Sequence, residues 1–276
     1  MTVSPAAART PRPLGTTAGE DLIRGLMNWQ LYGRLGWLDI KRRYRRTVLG
    51  PLWSVVTVGI MVATLGSVGI GLWKQNAASY LPFLTSGLIV WVLISTILTE
   101  ACTIFVYAQN FLRQISFDYS TLAYALVWRN LISFLHNVPL YVIVMLIFAP
   151  HQLEPTAALA LPGLLLLLVN GAWIALLLGM CCLRFRDIQQ LVAALIQVSI
   201  FITPIFWPPD YLSGSFRTVF VTFNPIYHLI EVVRAPLIGL VPPGSSYVAV
   251  LVMATLGWLS TYALFRVFRQ RIAYWS

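Results

Sequence analysis

The chain has 276 residues, of which 58% are hydrophobic and only 10% charged, and its mean hydropathy is +0.77. A soluble domain of this length carries far more charge on its surface, so one membrane-embedded domain is expected, with no separate soluble domain beside it. The formal net charge of +10 would suit nucleic acid. The basic residues, however, stand at the ends of apolar segments, where orientation signals belong, and no nucleic-acid partner is expected.

Residues 1–19 are small, Pro-rich and polar, without the apolar core of a signal peptide, and read as a disordered cytoplasmic tail. Thr17-Ala18-Gly19-Glu20 has capping-box spacing and predicts a helix from near Ala18. Leu22, Ile23, Leu26, Trp29 and Gly33 then form an apolar stripe at helical spacing, with Arg24 and Arg34 off it. The charged flanks forbid a span, so residues 20–46 read as an amphipathic helix lying in the interface, ending in a basic run. That run, Lys41, Arg42, Arg43, Arg45 and Arg46, stands just before the first long apolar segment, and Gly50-Pro51 sets how that segment starts. Two readings stay open. The run is a snorkelling membrane anchor, or it is a cradle for anionic headgroups or a lipid-linked pyrophosphate. Each cation contributes about 1 kcal/mol near an anionic surface in either case.

Residues 47–276 read as a transmembrane domain of six spans. The first, 47–73, has 27 residues; at ~1.5 Å per residue it exceeds a hydrocarbon core of about 30 Å. The next four cover about 81–107, 122–148, 157–183 and 188–206, and the last about 247–265. Before the last lies an uncharged stretch, 218–230, of only 13 residues. It is too short to cross straight and suits a re-entrant extracytoplasmic hairpin, broken at Asn224-Pro225 and closed at Pro242-Pro243-Gly244. With both termini in the cytoplasm, fifteen lysines and arginines fall inside against three outside, and this settles the expected orientation.

Within the spans, Glu100 and Arg129 would reach similar depth on antiparallel neighbours, and a structural ion pair is the default reading. His136, beside Asn137, reads as an interhelical hydrogen-bonding residue. Glu231 and Arg234, three apart, can pair on one helix face, and with Asn224 and His228 they make a polar cluster on the outer side. That cluster either stabilises the re-entrant fold or gates an outward exit. Arg184-Phe185-Arg186-Asp187 marks an inner turn. Cys102, Cys181 and Cys182 have no metal-ligand spacing and read as inert core residues. No phosphate-binding G-x-x-x-x-G-K-[ST] loop, H-E-x-x-H motif or G-x-S-x-G elbow occurs. No catalytic residue, metal or cofactor is therefore expected in this chain.

The run DIKRRYRRTVLGPLW at 39–53 resembles the N-terminal signature of permease subunits of polysaccharide ABC exporters, members of the type-2 ABC transporter superfamily that export O-antigen, capsule and teichoic acid polymers. Two further stretches agree. Residues 110–115, NFLRQI, with Trp128-Arg129-Asn130 and His136-Asn137, look like the family's second cytoplasmic loop and third span. Residues 224–234, NPIYHLIEVVR, look like its last extracytoplasmic motif. The likeness covers about 20–270. The loop departs from it in carrying Ser116-Phe117-Asp118 where many members have a Phe-Pro pair.

The resemblance implies an inner-membrane permease that works as a pair with a second copy of itself and with two copies of an ABC ATPase, which hold ATP and Mg. The cargo implied is an undecaprenyl-linked polysaccharide, handled among membrane lipids. It implies that the loop residues Asn110, Phe111, Arg113, Phe117 and Asp118, with Arg184, Arg186 and Asp187, meet the ATPase. It places Trp53, Phe201, Phe206 and Trp207 on conduit-lining helices, where aromatic rings can stack on sugars. It leaves the basic run as the headgroup entrance and Asn224, His228, Glu231 and Arg234 as an outer gate. The rival readings are a type-2 permease for a smaller lipid or drug cargo and an intramembrane enzyme acting on polyprenyl-linked sugar.

Overall fold

The computed structural model describes residues 17–108, 118–150 and 154–275. Every regular element in them is helical. Helix α1 (Ala18–Met27) starts where the sequence places it: Thr17 caps it, its hydroxyl accepting from the Glu20 amide at 3.2 Å, and Glu20 and Asp21 put negative charge in the first turn. The chain turns at Asn28 and continues as α2 (Trp29–Arg43). The expected interfacial helix is therefore two helices.

Among the described residues, five helices are long and apolar enough to cross a membrane. They are α3 (Leu52–Gly71), α4 (Ala77–Ala101), α6 (Ser120–Phe148), α7 (Ala160–Arg184, with a 3-10 turn, Pro155–Leu159, before it) and α11 (Gly244–Trp275). The short α5 (Ile104–Tyr107) follows α4 after a turn. Helix α8 (Asp187–Ile202), where a fifth span is expected, has 16 residues, about 24 Å at 1.5 Å per residue. Its chain continues without helical bonding through residues 203–208. Then come α9 (Gly214–Arg217), a π turn (Thr218–Thr222) and α10 (Pro225–Leu237). The expected break at Asn224-Pro225 and the restart after Pro242-Pro243 are both present.

Helix α4 is the central element. Most of its residues are buried, and α3, α6, α7, α8 and α10 all pack on it. Its N-terminus is capped by Asn76, which accepts from the Ala78 amide at 2.9 Å. Helices α7 and α11 are joined by Asn170, buried in the core, whose amide donates to the Leu166 and Val250 carbonyls and accepts from the Trp173 indole. Polar bonds of this kind hold helices together where the surroundings are as apolar as the side chains. Helix α10 lies so close to α7 that a Cβ on Gly163 would stand 2.1 Å from the Val232 carbonyl oxygen.

Alternating helix directions give the bundle two ends. At the basic end lie α1, α2, the start of α6, the turn between α7 and α8, and the last turns of α11. At the opposite end lie residues 203–224 and α10.

Candidate functional site

The basic run does not continue α2 as one straight helix. The helix ends at Arg43, Tyr44 caps it, and the chain turns with Arg46 at φ 71 and Gly50 at φ 54 before α3 begins. Arg45 still bonds back to the Arg42 carbonyl in a last turn, and the helical path is left at Arg46. All five basic side chains are exposed. Lys41 reaches over the Trp37 ring at 6.0 Å. Among the described residues no ion pair involves Arg42, Arg45 or Arg46. Arg43 turns inward and its guanidinium donates to Glu100.

Glu100 is the hub of a four-charge network. It accepts from Arg43, from Arg129 at 2.8 Å and from the Asn130 amide at 2.8 Å. Arg129 also donates to Asp39 at 2.7 Å. The network joins α2 to α4 and α6 and balances two cations against two anions. The expected Glu100–Arg129 pair is formed, with two further members that spacing did not reveal. Burial works against the Arg43 charge, but Glu100 outweighs it, and its pKa stands above the ordinary arginine value. His136 bonds the Ile132 carbonyl of its own helix, one turn back, not a neighbouring helix.

Of the residues expected to meet an ATPase, Asn110, Phe111, Arg113 and Phe117 lie outside the described residues. Asp118 leads into α6. Burial, and then the nearby Asp21 carboxylate, push its carboxyl above the usual range. Arg184 ends α7 with its guanidinium 4.9 Å from the Phe185 ring, Arg186 precedes α8, and Asp187 sits in the first turn of α8.

The conduit aromatics divide. Phe201, Phe206 and Trp207 meet at the opposite end, where Phe201 and Phe206 are edge to face at 6.0 Å and the Trp207 indole donates to the Phe201 carbonyl at 3.0 Å. Trp73 stacks on Phe206. Trp53 stands apart, exposed at the basic end of α3.

The four residues read as an outer gate are each engaged within the fold. Asn224 caps α10, accepting from the Ile226 and Tyr227 amides, and its own amide donates to Thr203 at 3.0 Å. His228 bonds Ser246 and the Thr222 carbonyl. Arg234 is 1% exposed; it holds Glu231, donates to the Pro204 carbonyl at 2.6 Å and lies 4.2 Å from the Phe83 ring. Among the described residues no group of His, Cys, Asp or Glu is arranged to hold a metal.

A family profile described as ABC-2 type transporter matches residues 30–238. The chain belongs to the ABC-2 type transporter family. Its similar proteins include an O-antigen export system permease protein RfbA of Myxococcus xanthus, 24% identical over 200 residues, which cover 71% of this chain and 76% of that one. A protein of the same description from Klebsiella pneumoniae is 22% identical over 196 residues, covering 70% and 74%. The matched stretch of this ABC-2 permease holds the basic run, the Glu100 network and α10. It leaves out α1 and α11, and with them Asp21 and Arg269, an ion pair that the sequence reading missed. One signal was available. Ala18, Asp21 and Gly25 form a small-residue face with one acid in it, and an interfacial helix has no use for an acid facing away from water.

Proposed function

We propose that this ABC-2 permease is the membrane subunit of an ATP-driven exporter of a lipid-linked polysaccharide of O-antigen or capsule type. Two copies pair with two copies of a separate ABC ATPase. The chain sits in the inner membrane with both termini in the cytoplasm and crosses it six times, α8 with the chain after it serving as the fifth crossing. Helices α1 and α2 lie in the cytoplasmic interface, and residues 216–240 form a re-entrant outer segment. The similarity to O-antigen export system permease proteins and the placement of the basic run support this reading.

The carrying observation is the division of labour in that run. Arg43 is committed to Glu100, whereas Arg42, Arg45 and Arg46 are exposed at the turn between the interfacial helices and the first span. A pyrophosphate arriving on a polyprenyl tail keeps the tail in the bilayer, so only its headgroup needs polar partners. A planar guanidinium offers two parallel donors to a phosphate, and a lysine does not. The test is hydrolysis by the reconstituted permease–ATPase complex in liposomes with undecaprenyl-linked polysaccharide. Stimulation by the glycolipid is expected, and Arg42→Lys, Arg45→Lys and Arg46→Lys together are expected to weaken it about tenfold while preserving charge and topology. Unchanged stimulation in the Lys variant would leave the run as an anchor. Stimulation by a small lipid and not by the glycolipid would replace the cargo.

A further inference from the structure

Asp21 has a place in the fold that the transport reading does not use. It lies on the inward face of α1 and is fully buried. Its two carboxylate oxygens take three donors: the Ser120 amide at 3.1 Å, the Tyr119 amide at 3.2 Å and the Arg269 Nε at 2.9 Å. The backbone adds to this. The Asp21 carbonyl accepts from the Ser120 hydroxyl at 2.8 Å, and the Leu22 carbonyl accepts from the Tyr124 hydroxyl at 3.2 Å. One turn along, a Cβ on Gly25 would stand 2.1 Å from the Ser120 hydroxyl oxygen, so only glycine lets α1 come this close.

Tyr119 and Ser120 open α6, where the first amides have no acceptor within their own helix. An acid supplies that acceptor at many helix starts, from the adjoining residue. Here it comes from a helix about a hundred positions earlier in the chain, and the same carboxylate holds the end of α11. A buried ion pair alone would be replaced by apolar side chains at little cost. Apolar side chains cannot accept from two backbone amides, so the bonds to Tyr119 and Ser120 give Asp21 a role that the ion pair does not.

We propose that Asp21 is a positioning residue that fixes the first turn of α6, so that α1, the start of α6 and the end of α11 move as one body. This rests on the reading that the segment before α6 faces the ATPase. Under it, a push on that segment reaches the interfacial helix through one carboxylate.

The experiment compares wild type, Asp21→Asn, Arg269→Gln and the double variant in the permease–ATPase complex. In Asp21→Asn the side-chain amide turns a donor toward one of three donors. Its amides at 119–122 are expected to exchange hydrogen at least tenfold faster, and glycolipid-stimulated hydrolysis is expected to fall at least tenfold with the ATPase still bound. The double variant is expected not to recover, since it restores charge balance but not the cap. Arg269→Gln keeps the cap, and its amides at 119–122 are expected to stay as protected as in wild type. Recovery in the double variant, unchanged exchange in Asp21→Asn, or opening of those amides in Arg269→Gln would each overturn the proposal. If Asp21→Asn does not assemble, the Arg269→Gln exchange decides alone. Exchange needs no substrate, so a wild-type complex that ignores glycolipid would sink the cargo reading and leave this test standing.

Discussion

The two ends of the bundle use charge differently. At the basic end, apart from an exposed Glu20–Arg24 pair within α1, ion pairs join separate elements: Asp21 to Arg269, Asp39 to Arg129, and Arg43 and Arg129 to Glu100. At the opposite end, the buried pair is local, Glu231 with Arg234, and its neighbours serve backbone that has left helical geometry. Arg234 satisfies the Pro204 carbonyl and Asn224 caps α10. Backbone without helical bonding is sustained at membrane depth only where something else satisfies it. The opposite end is thus a polar scaffold for a broken chain, and the basic end is a set of ties between separate helices. Removing one side chain should cost the scaffold stability and cost the ties coordination.

Of matched Arg→Met changes in the Glu231 pair and in the Glu100 network, the larger expected loss of stability is at the opposite end. Arg234→Met removes the partner of the largely buried Glu231 carboxylate and the donor to the Pro204 carbonyl. Breaking a buried pair in this way costs about 3–5 kcal/mol, and the contact with Phe83 adds about 1 kcal/mol more. The purified variant should unfold at a clearly lower temperature in detergent and give a poor yield. A melting temperature within a degree or two of wild type would remove the distinction between the two ends.

At the basic end the comparable change is Arg129→Met. Glu100 keeps Arg43 and Asn130, and Asp39 is 40% exposed at its side chain, so neither carboxylate is stranded. A smaller cost follows, about 1–2 kcal/mol. Thermal unfolding of the two variants side by side gives the comparison. An Arg129→Met loss as large as that of Arg234→Met would mean that the network is a keystone and not a tie.

The features legible in the sequence were those set by local rules. The cap at Thr17, the break at Asn224-Pro225, the restart after Pro242-Pro243 and the Glu231–Arg234 pair all follow from residues a few positions apart. The Glu100–Arg129 pair needed only the antiparallel order of two spans. What escaped depends on long-range packing. No spacing rule links Asp21 to a residue 248 positions away. Of the stripe Leu22, Ile23, Leu26, Trp29 and Gly33, Leu22 packs on the core, but Ile23, Leu26 and Trp29 are exposed, and the buried residues of α1 are Ala18, Asp21 and Gly25. An amphipathic pattern tells which residues share a face, not whether that face meets protein or lipid.

The smallest expected effect separates stability from coupling at one residue. Asp118 is partly buried near Asp21, and its folded-state pKa is raised by burial first and by that carboxylate second, with Arg24 and Arg269 acting against them. A carboxyl raised above its unfolded value of about 3.9 binds its proton more tightly when folded. Its stabilising contribution is present below the unfolded pKa and is lost as pH rises through the folded one. Above its folded pKa the group gives the fold nothing through this linkage. Asp118→Asn should therefore leave the melting temperature at pH 7 equal or slightly higher, and it should flatten the change in stability on titrating from neutral pH toward about pH 4. If Asp118 also fixes register against an ATPase, the same variant should couple poorly while folding well, the pattern of a residue kept for function at a small cost in stability. A lower melting temperature at pH 7 would instead place the ionised carboxylate in a favourable contact, and Asp118 would then join Asp21 among the ties of the basic end.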